Sequence, residues 1–143
     1  MLIVKLIIKF LLSLYLATSL SVIGHELAHY VTAKVLGFSE VFLCIGFGDF
    51  CGIKTKNLFI SPLAFSGYVE YNTQEDRFIP MYNLFFFYFS GVVFNAILIA
   101  IAVLLKCHIL TVVNAIMIII SLLPFNFTKS DLSSFIQICK SEG

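Results

Sequence analysis

The sequence predicts an α-helical integral membrane protein, with a three-helix transmembrane core and a small β-region between the first and second helices. Three observations carry that reading. Of the 143 residues, 60% are hydrophobic and 12% are charged, with mean hydropathy +1.03; soluble domains are roughly 45–50% apolar and about 25% charged. The apolar residues fall into three long blocks. Between the first two blocks, glycines and short β-branched or aromatic runs replace that pattern.

A chain of this length holds one domain, about three spans and one moderate connecting segment. Its net charge of +1 leaves no electrostatic footprint for nucleic acid. Trp is absent, while 16 Phe and 6 Tyr supply bulky lipid-facing and interfacial groups. Cys44, Cys51, Cys107 and Cys139 form no CxxC pair and read as free apolar thiols.

The first helix is expected over about residues 6–36, with Gly37 as its stop. At about 1.5 Å per residue it exceeds the ~30 Å hydrocarbon core, so one end protrudes or the helix tilts. Lys5 and Lys9, followed by an apolar run ending in Ala17, Thr18 and Ser19, imitate a secretory signal. Cleavage there would remove most of the helix that carries the motif described below, so a retained helix is expected.

The β-region is expected over about residues 38–72, with strands at Val41–Ile45, Gly52–Lys56 and Tyr68–Tyr71 and a polar loop at Asn72–Arg77. The second helix follows Pro80, over about 83–105. The third spans about 109–123 and is stopped by Pro124. Only Lys106, Cys107 and His108 separate these two helices, which makes them antiparallel neighbours. Residues 124–143 form a C-terminal segment in which Ser130-Asp131 precedes an amphipathic stretch. Lys34, Lys54, Lys56, Arg77, Lys129 and Lys140 outnumber Lys5, Lys9 and Lys106 on the other face. The positive-inside rule then puts the long connecting segment and the C-terminus in the cytoplasm.

The first apolar block contains His25-Glu26-Leu27-Ala28-His29. Two histidines four apart on a helix project from one face, one turn apart. Their neutral imidazoles can share a zinc ion, and the adjacent glutamate can take a proton from the water that zinc acidifies. Packed structural histidines are the plain alternative, but ionisable groups in a membrane helix are costly unless partnered. Glu26 is therefore read as a general base and His25 and His29 as metal ligands.

Catalytic zinc sites use three protein ligands. Glu40, Asp49, Glu70, Glu75, Asp76, His108, Asp131 and Glu142 are the candidates for the third. Three alternating spans return the chain after the third helix to the face where the first helix ends, which favours Asp131 and disfavours His108. Asp49 stays open. In the second span, Asn95 would either hydrogen-bond substrate or oxyanion, or bond a neighbouring helix. Gly91 reads as a close-packing position and Asn114 as interhelical glue.

These residues resemble the site-2 protease family of intramembrane zinc metalloproteases, over nearly the whole chain. Gly24-His25-Glu26-Leu27-Ala28-His29-Tyr30 with Ala33-Lys34 and Leu36-Gly37 is similar to that family's motif helix. Ile45-Gly46-Phe47-Gly48 resembles its glycine-bearing strand, and Ser66-Gly67-Tyr68-Val69 resembles the Gly-Gly-Tyr-Val segment of its membrane-associated β-region. Gly91-Val92-Val93-Phe94-Asn95 is similar to its Gly-Pro-x-x-Asn stretch, with Val92 in place of proline. Ser121-Leu122-Leu123-Pro124 and Ser130-Asp131-Leu132 match its Asn-x-x-Pro and Leu-Asp-Gly. There, Ser121 replaces asparagine, Leu132 replaces glycine, and the interval from Pro124 to Asp131 is longer.

The resemblance implies a single metalloprotease core with Zn2+ on His25, His29 and Asp131. It implies Glu26 as general base, Asn95 and Gly67 as substrate-binding positions, and a catalytic centre nearer the cytoplasmic side. The substrate would be a membrane protein or membrane-bound peptide in the lipid bilayer; the small chain, rich in Phe and Ile, points to a prokaryotic cell membrane. Specificity would come from the bundle, the β-region or a regulatory membrane partner. Two other classes remain open: a zinc-binding membrane protein that holds clients without cutting them, and a small metal transporter or immunity-type membrane protein. A transporter needs a polar path through all three spans, and the second and third offer little beyond Asn95 and Asn114.

Overall fold

The computed structural model describes residues 1–46, 51–72, 79–123 and 130–141. The described residues form four helices, α1 Leu2–Val35, α2 Met81–Leu104, α3 His108–Leu122 and α4 Asp131–Ser141. Between α1 and α2 lie four strands, β1 Phe42–Ile45, β2 Ile53–Lys54, β3 Leu58–Ile60 and β4 Gly67–Glu70. Phe47, Gly48 and Asp49, most of the polar loop with Glu75, Asp76 and Arg77, the segment from Pro124 to Lys129, and Glu142 lie outside the described residues.

α1 and α2 are long and apolar enough to cross a membrane, at about 51 and 36 Å by helical rise. α1 takes in Lys5 and Lys9, and its early apolar residues, such as Leu6, Ile7, Phe10 and Leu11, are exposed on the protein's own surface. α3 is a shorter apolar helix. The three helices pack on one another. Gly24 sits so close to the Phe94 ring that a side chain there has no room.

The α1 stop is a complete Schellman motif. Gly37 adopts φ +81, its N–H donates to Lys34 O at 3.2 Å, and the Phe38 N–H donates to Ala33 O at 2.9 Å. The turn between α2 and α3 repeats the pattern without a glycine. Lys106 takes φ +55, and the Cys107 N–H reaches Ala102 O at 2.8 Å. A left-handed lysine costs about 1–2 kcal/mol, which the tight antiparallel return of α3 along α2 requires.

The strand order is β2-β3-β1-β4. β1 pairs parallel with β3, with Leu43 opposite Leu58, and antiparallel with β4, with Ile45 opposite Gly67. β3 lies outside the three expected strands; it is three residues long and is paired on both sides, antiparallel to nearby β2, with Ile53 opposite Ile60, and parallel to distant β1. The sheet lies along α1. Leu43, Ile45 and Ala64 bury against Tyr30. Farther up the helix, the Tyr15 hydroxyl donates to the Pro62 carbonyl and its ring meets Phe65 edge-on at 5.5 Å. The β-region thus flanks 15 residues of α1, about 22 Å, rather than capping its end.

A second buried cluster joins Ala33, Phe38, Val41, Leu84 and Phe87, with Phe135 and Ile138 of α4 packed on it. Phe135 also meets the rings of Phe85, Tyr88 and Phe89 on α2. This aromatic contact seats the start of α4 over the motif turn of α1.

Candidate metal centre

His25 and His29 are both buried, at 3% and 4% exposure. Their Nε2 atoms lie 3.1 Å apart. Asp131, 106 positions from His25, places Oδ2 3.2 Å from His25 Nε2 and Oδ1 3.5 Å from His29 Nε2. One ligand atom from each of the three falls within 4.8 Å of the others.

The chain reaches this arrangement from three directions. On α1, helical spacing alone puts the histidines one above the other. On α2, Gly91 lets the backbone come against both rings, since a Cβ there would lie 2.6 Å from each Nε2. On α4, Ser130 caps the helix, its Oγ accepting the Ser133 N–H at 3.2 Å and its carbonyl accepting the Ser133 hydroxyl at 2.8 Å. That cap turns Asp131, the first residue of α4, towards the histidines. Burial pushes the Asp131 carboxyl up, but hydrogen bonds and attraction from His25 and His29 outweigh it and hold the group below the usual carboxylate range.

α2 also braces the far side of each ring. His29 Nδ1–H donates to the Phe87 carbonyl at 2.7 Å, with Ser90 Oγ 3.1 Å away. A carbonyl only accepts, so this contact holds a proton on Nδ1 and makes Nε2 the nitrogen available to a metal ion. The Asn95 amide nitrogen lies 3.0 Å from His25 Nδ1.

Glu26 is buried at 9% exposure, next to the histidines. Lys34, later on the same helix, sits over the Tyr30 ring, 5.7 Å from its centre. Glu26, His25, His29 and Asp131 share a cavity of about 660 Å³ with β4 and with Met117, Ile120 and Ser121 of α3.

Of the residues expected to touch substrate, Gly67 lines this cavity, whereas Asn95 is fully buried behind His25 and does not. Glu70 lines the cavity, and Glu40 accepts a hydrogen bond from Asn72 at 3.0 Å. His108 begins α3, at the end remote from the motif turn. Asn114 bonds back to Leu110 O of its own helix at 2.8 Å, and its Oδ1 meets no partner among the described residues. Asp49, Glu75, Asp76 and Glu142 fall outside the described residues. Ser90 and the Phe87 carbonyl had no role in the sequence reading, and Ser130 entered it only beside Asp131. Ser130 carried the one usable signal, a serine before an amphipathic run; a backbone carbonyl carries none.

The donor set fits a metal ion. Two imidazole nitrogens 3.1 Å apart can both lie about 2.0–2.1 Å from one ion, and a carboxylate is already paired to them. No family model matches the chain, and no curated protein sequence matches it.

Proposed function

We propose that the chain is an intramembrane zinc metalloprotease of the site-2 protease type. The observation that carries this reading is the meeting of His25, His29 and Asp131 beside buried Glu26, in one cavity between apolar helices. Two imidazoles and one carboxylate are a common donor set of catalytic zinc. A fourth position left to water separates such a site from a closed structural one.

α1, α2 and α3 would form a three-helix membrane core. The shortness of α3 is met by a locally thinned bilayer or by flanking residues that snorkel to the interface. The basic residues near the α1 end of the β-region favour a cytoplasmic location for that face, and so for the nearer catalytic centre. Substrates would be membrane-spanning or membrane-bound peptides.

Zinc held there would supply a Lewis acid and a water acidified to a pKa of about 7. Glu26 would take the proton of the attacking water and return it to the leaving amine. A membrane helix hides its carbonyls in its own hydrogen bonds and must unwind before it is cut. β4 is an outer strand of the sheet and its residues line the cavity. An unwound substrate can pair with it as an added strand, its scissile bond then held near Glu26.

The test uses the full chain reconstituted in lipid vesicles with model transmembrane peptides. Wild-type protein should hold close to one zinc per chain and cleave a subset of the peptides. A chelator should stop cleavage, and added zinc should restore it. Stoichiometric zinc without cleavage of any peptide would favour the client-holding class; absence of bound metal would overturn the reading.

A further inference from the structure

The two histidines are braced from behind in chemically different ways. His29 Nδ1 meets a backbone carbonyl, an acceptor in every circumstance. His25 Nδ1 meets a side-chain amide, one end of which donates while the other accepts. Asn95 is 0% exposed, and its Oδ1 has no hydrogen-bond partner among the described residues. A buried, unpaired amide oxygen costs about 1–3 kcal/mol.

The metal reading above, on which this inference rests, decides between the two ends. An imidazole that ligates through Nε2 carries its proton on Nδ1, and the atom facing Nδ1 must accept it. An NH2 group 3.0 Å away would oppose donor to donor. A half-turn of the amide exchanges oxygen and nitrogen at the same two positions, with no other atom displaced.

We propose that Asn95 is a positioning residue of the metal centre: its Oδ1 accepts the Nδ1 proton of His25 and selects the tautomer that presents the Nε2 lone pair. Asn95 then matches, from a side chain, what the Phe87 carbonyl does for His29. One helix, α2, braces both ligands from behind while its Gly91 leaves room for their ligating edges. Asn95 lies on the side of His25 away from the cavity, so its effect on catalysis runs through the metal and not through substrate.

The experiment measures zinc and cobalt affinity of the detergent-solubilised full chain by chelator competition, with the cobalt ligand-field spectrum as a second readout. Asn95→Asp keeps an acceptor of the same shape and removes the donor. Asn95→Leu keeps the size and removes both. Asn95→Asp should bind metal within about threefold of wild type or more tightly, with an unchanged cobalt spectrum. Asn95→Leu should bind about 10–100-fold more weakly. Wild-type affinity in Asn95→Leu would overturn the inference alone, because the metal reading would stand. Affinity reduced tenfold or more in Asn95→Asp would overturn it too, and this arm decides the matter if Asn95→Leu does not fold. A wild-type chain that takes up no metal would overturn the metal reading and this inference with it.

Discussion

Gly67 of β4 lies directly against Glu26 of α1: a Cβ at Gly67 would come 2.5 Å from Glu26 Cγ and 2.9 Å from the Cys44 carbonyl oxygen. The carbonyl belongs to the paired strand β1 and cannot give way cheaply, so the glutamate would have to move. Gly67→Val should therefore displace Glu26, the proposed general base, while leaving His25, His29 and Asp131 in place. Misplacement by about 1 Å can cost about 10²-fold in rate. Turnover should fall by that order with zinc content near wild type. Undiminished turnover in Gly67→Val would show that Glu26 does not depend on this contact.

Glu26→Gln preserves shape and removes the proposed base. Cleavage should drop by about 10²–10⁴-fold, the usual contribution of a positioned acid–base group. Zinc should remain bound, because the base is not a ligand. Parallel metal analysis and peptide cleavage give the answer, and substantial residual turnover would remove Glu26 from the mechanism.

Asp131→Ala removes one of the three proposed ligands and leaves two. Zinc affinity and activity should fall together, by more than the ~10–100-fold typical of losing an outer partner. Asp49→Ala should leave zinc content near wild type. The reverse pattern, zinc lost with Asp49 and kept with Asp131, would require a site rebuilt from the connecting segment.

Topology can be read by thiol labelling of reconstituted chains carrying a single cysteine. Cys107, exposed in the α2–α3 turn, should react from the face opposite a cysteine placed by Glu40→Cys just beyond α1. Reaction of both from one side would refute a membrane-crossing α2 and the three-span arrangement that set His108 aside.

What the sequence determined by itself is local. Helical spacing places His25 and His29 on one face wherever the helix lies, because a four-residue step is just over a full turn. Gly37 ends α1, because the left-handed turn at φ +81 suits a residue without a Cβ. Pro80 and the three residues from Lys106 to His108 bound α2 and α3 for equally short-range reasons, and the long apolar runs make two helices fit to cross a membrane. The tertiary structure decided everything that joins distant positions. β3 is held between β2 and the distant β1, and the β-region follows α1 up to Tyr15 through side-chain contacts that no periodicity encodes. Asp131 reaches the histidines because Phe135 packs on the aromatic face of α2, and Asn95 comes to lie behind His25 because Gly24 and Gly91 let α1 and α2 approach closely. Spacing along the chain sets which side chains share a face, but only packing sets which faces meet.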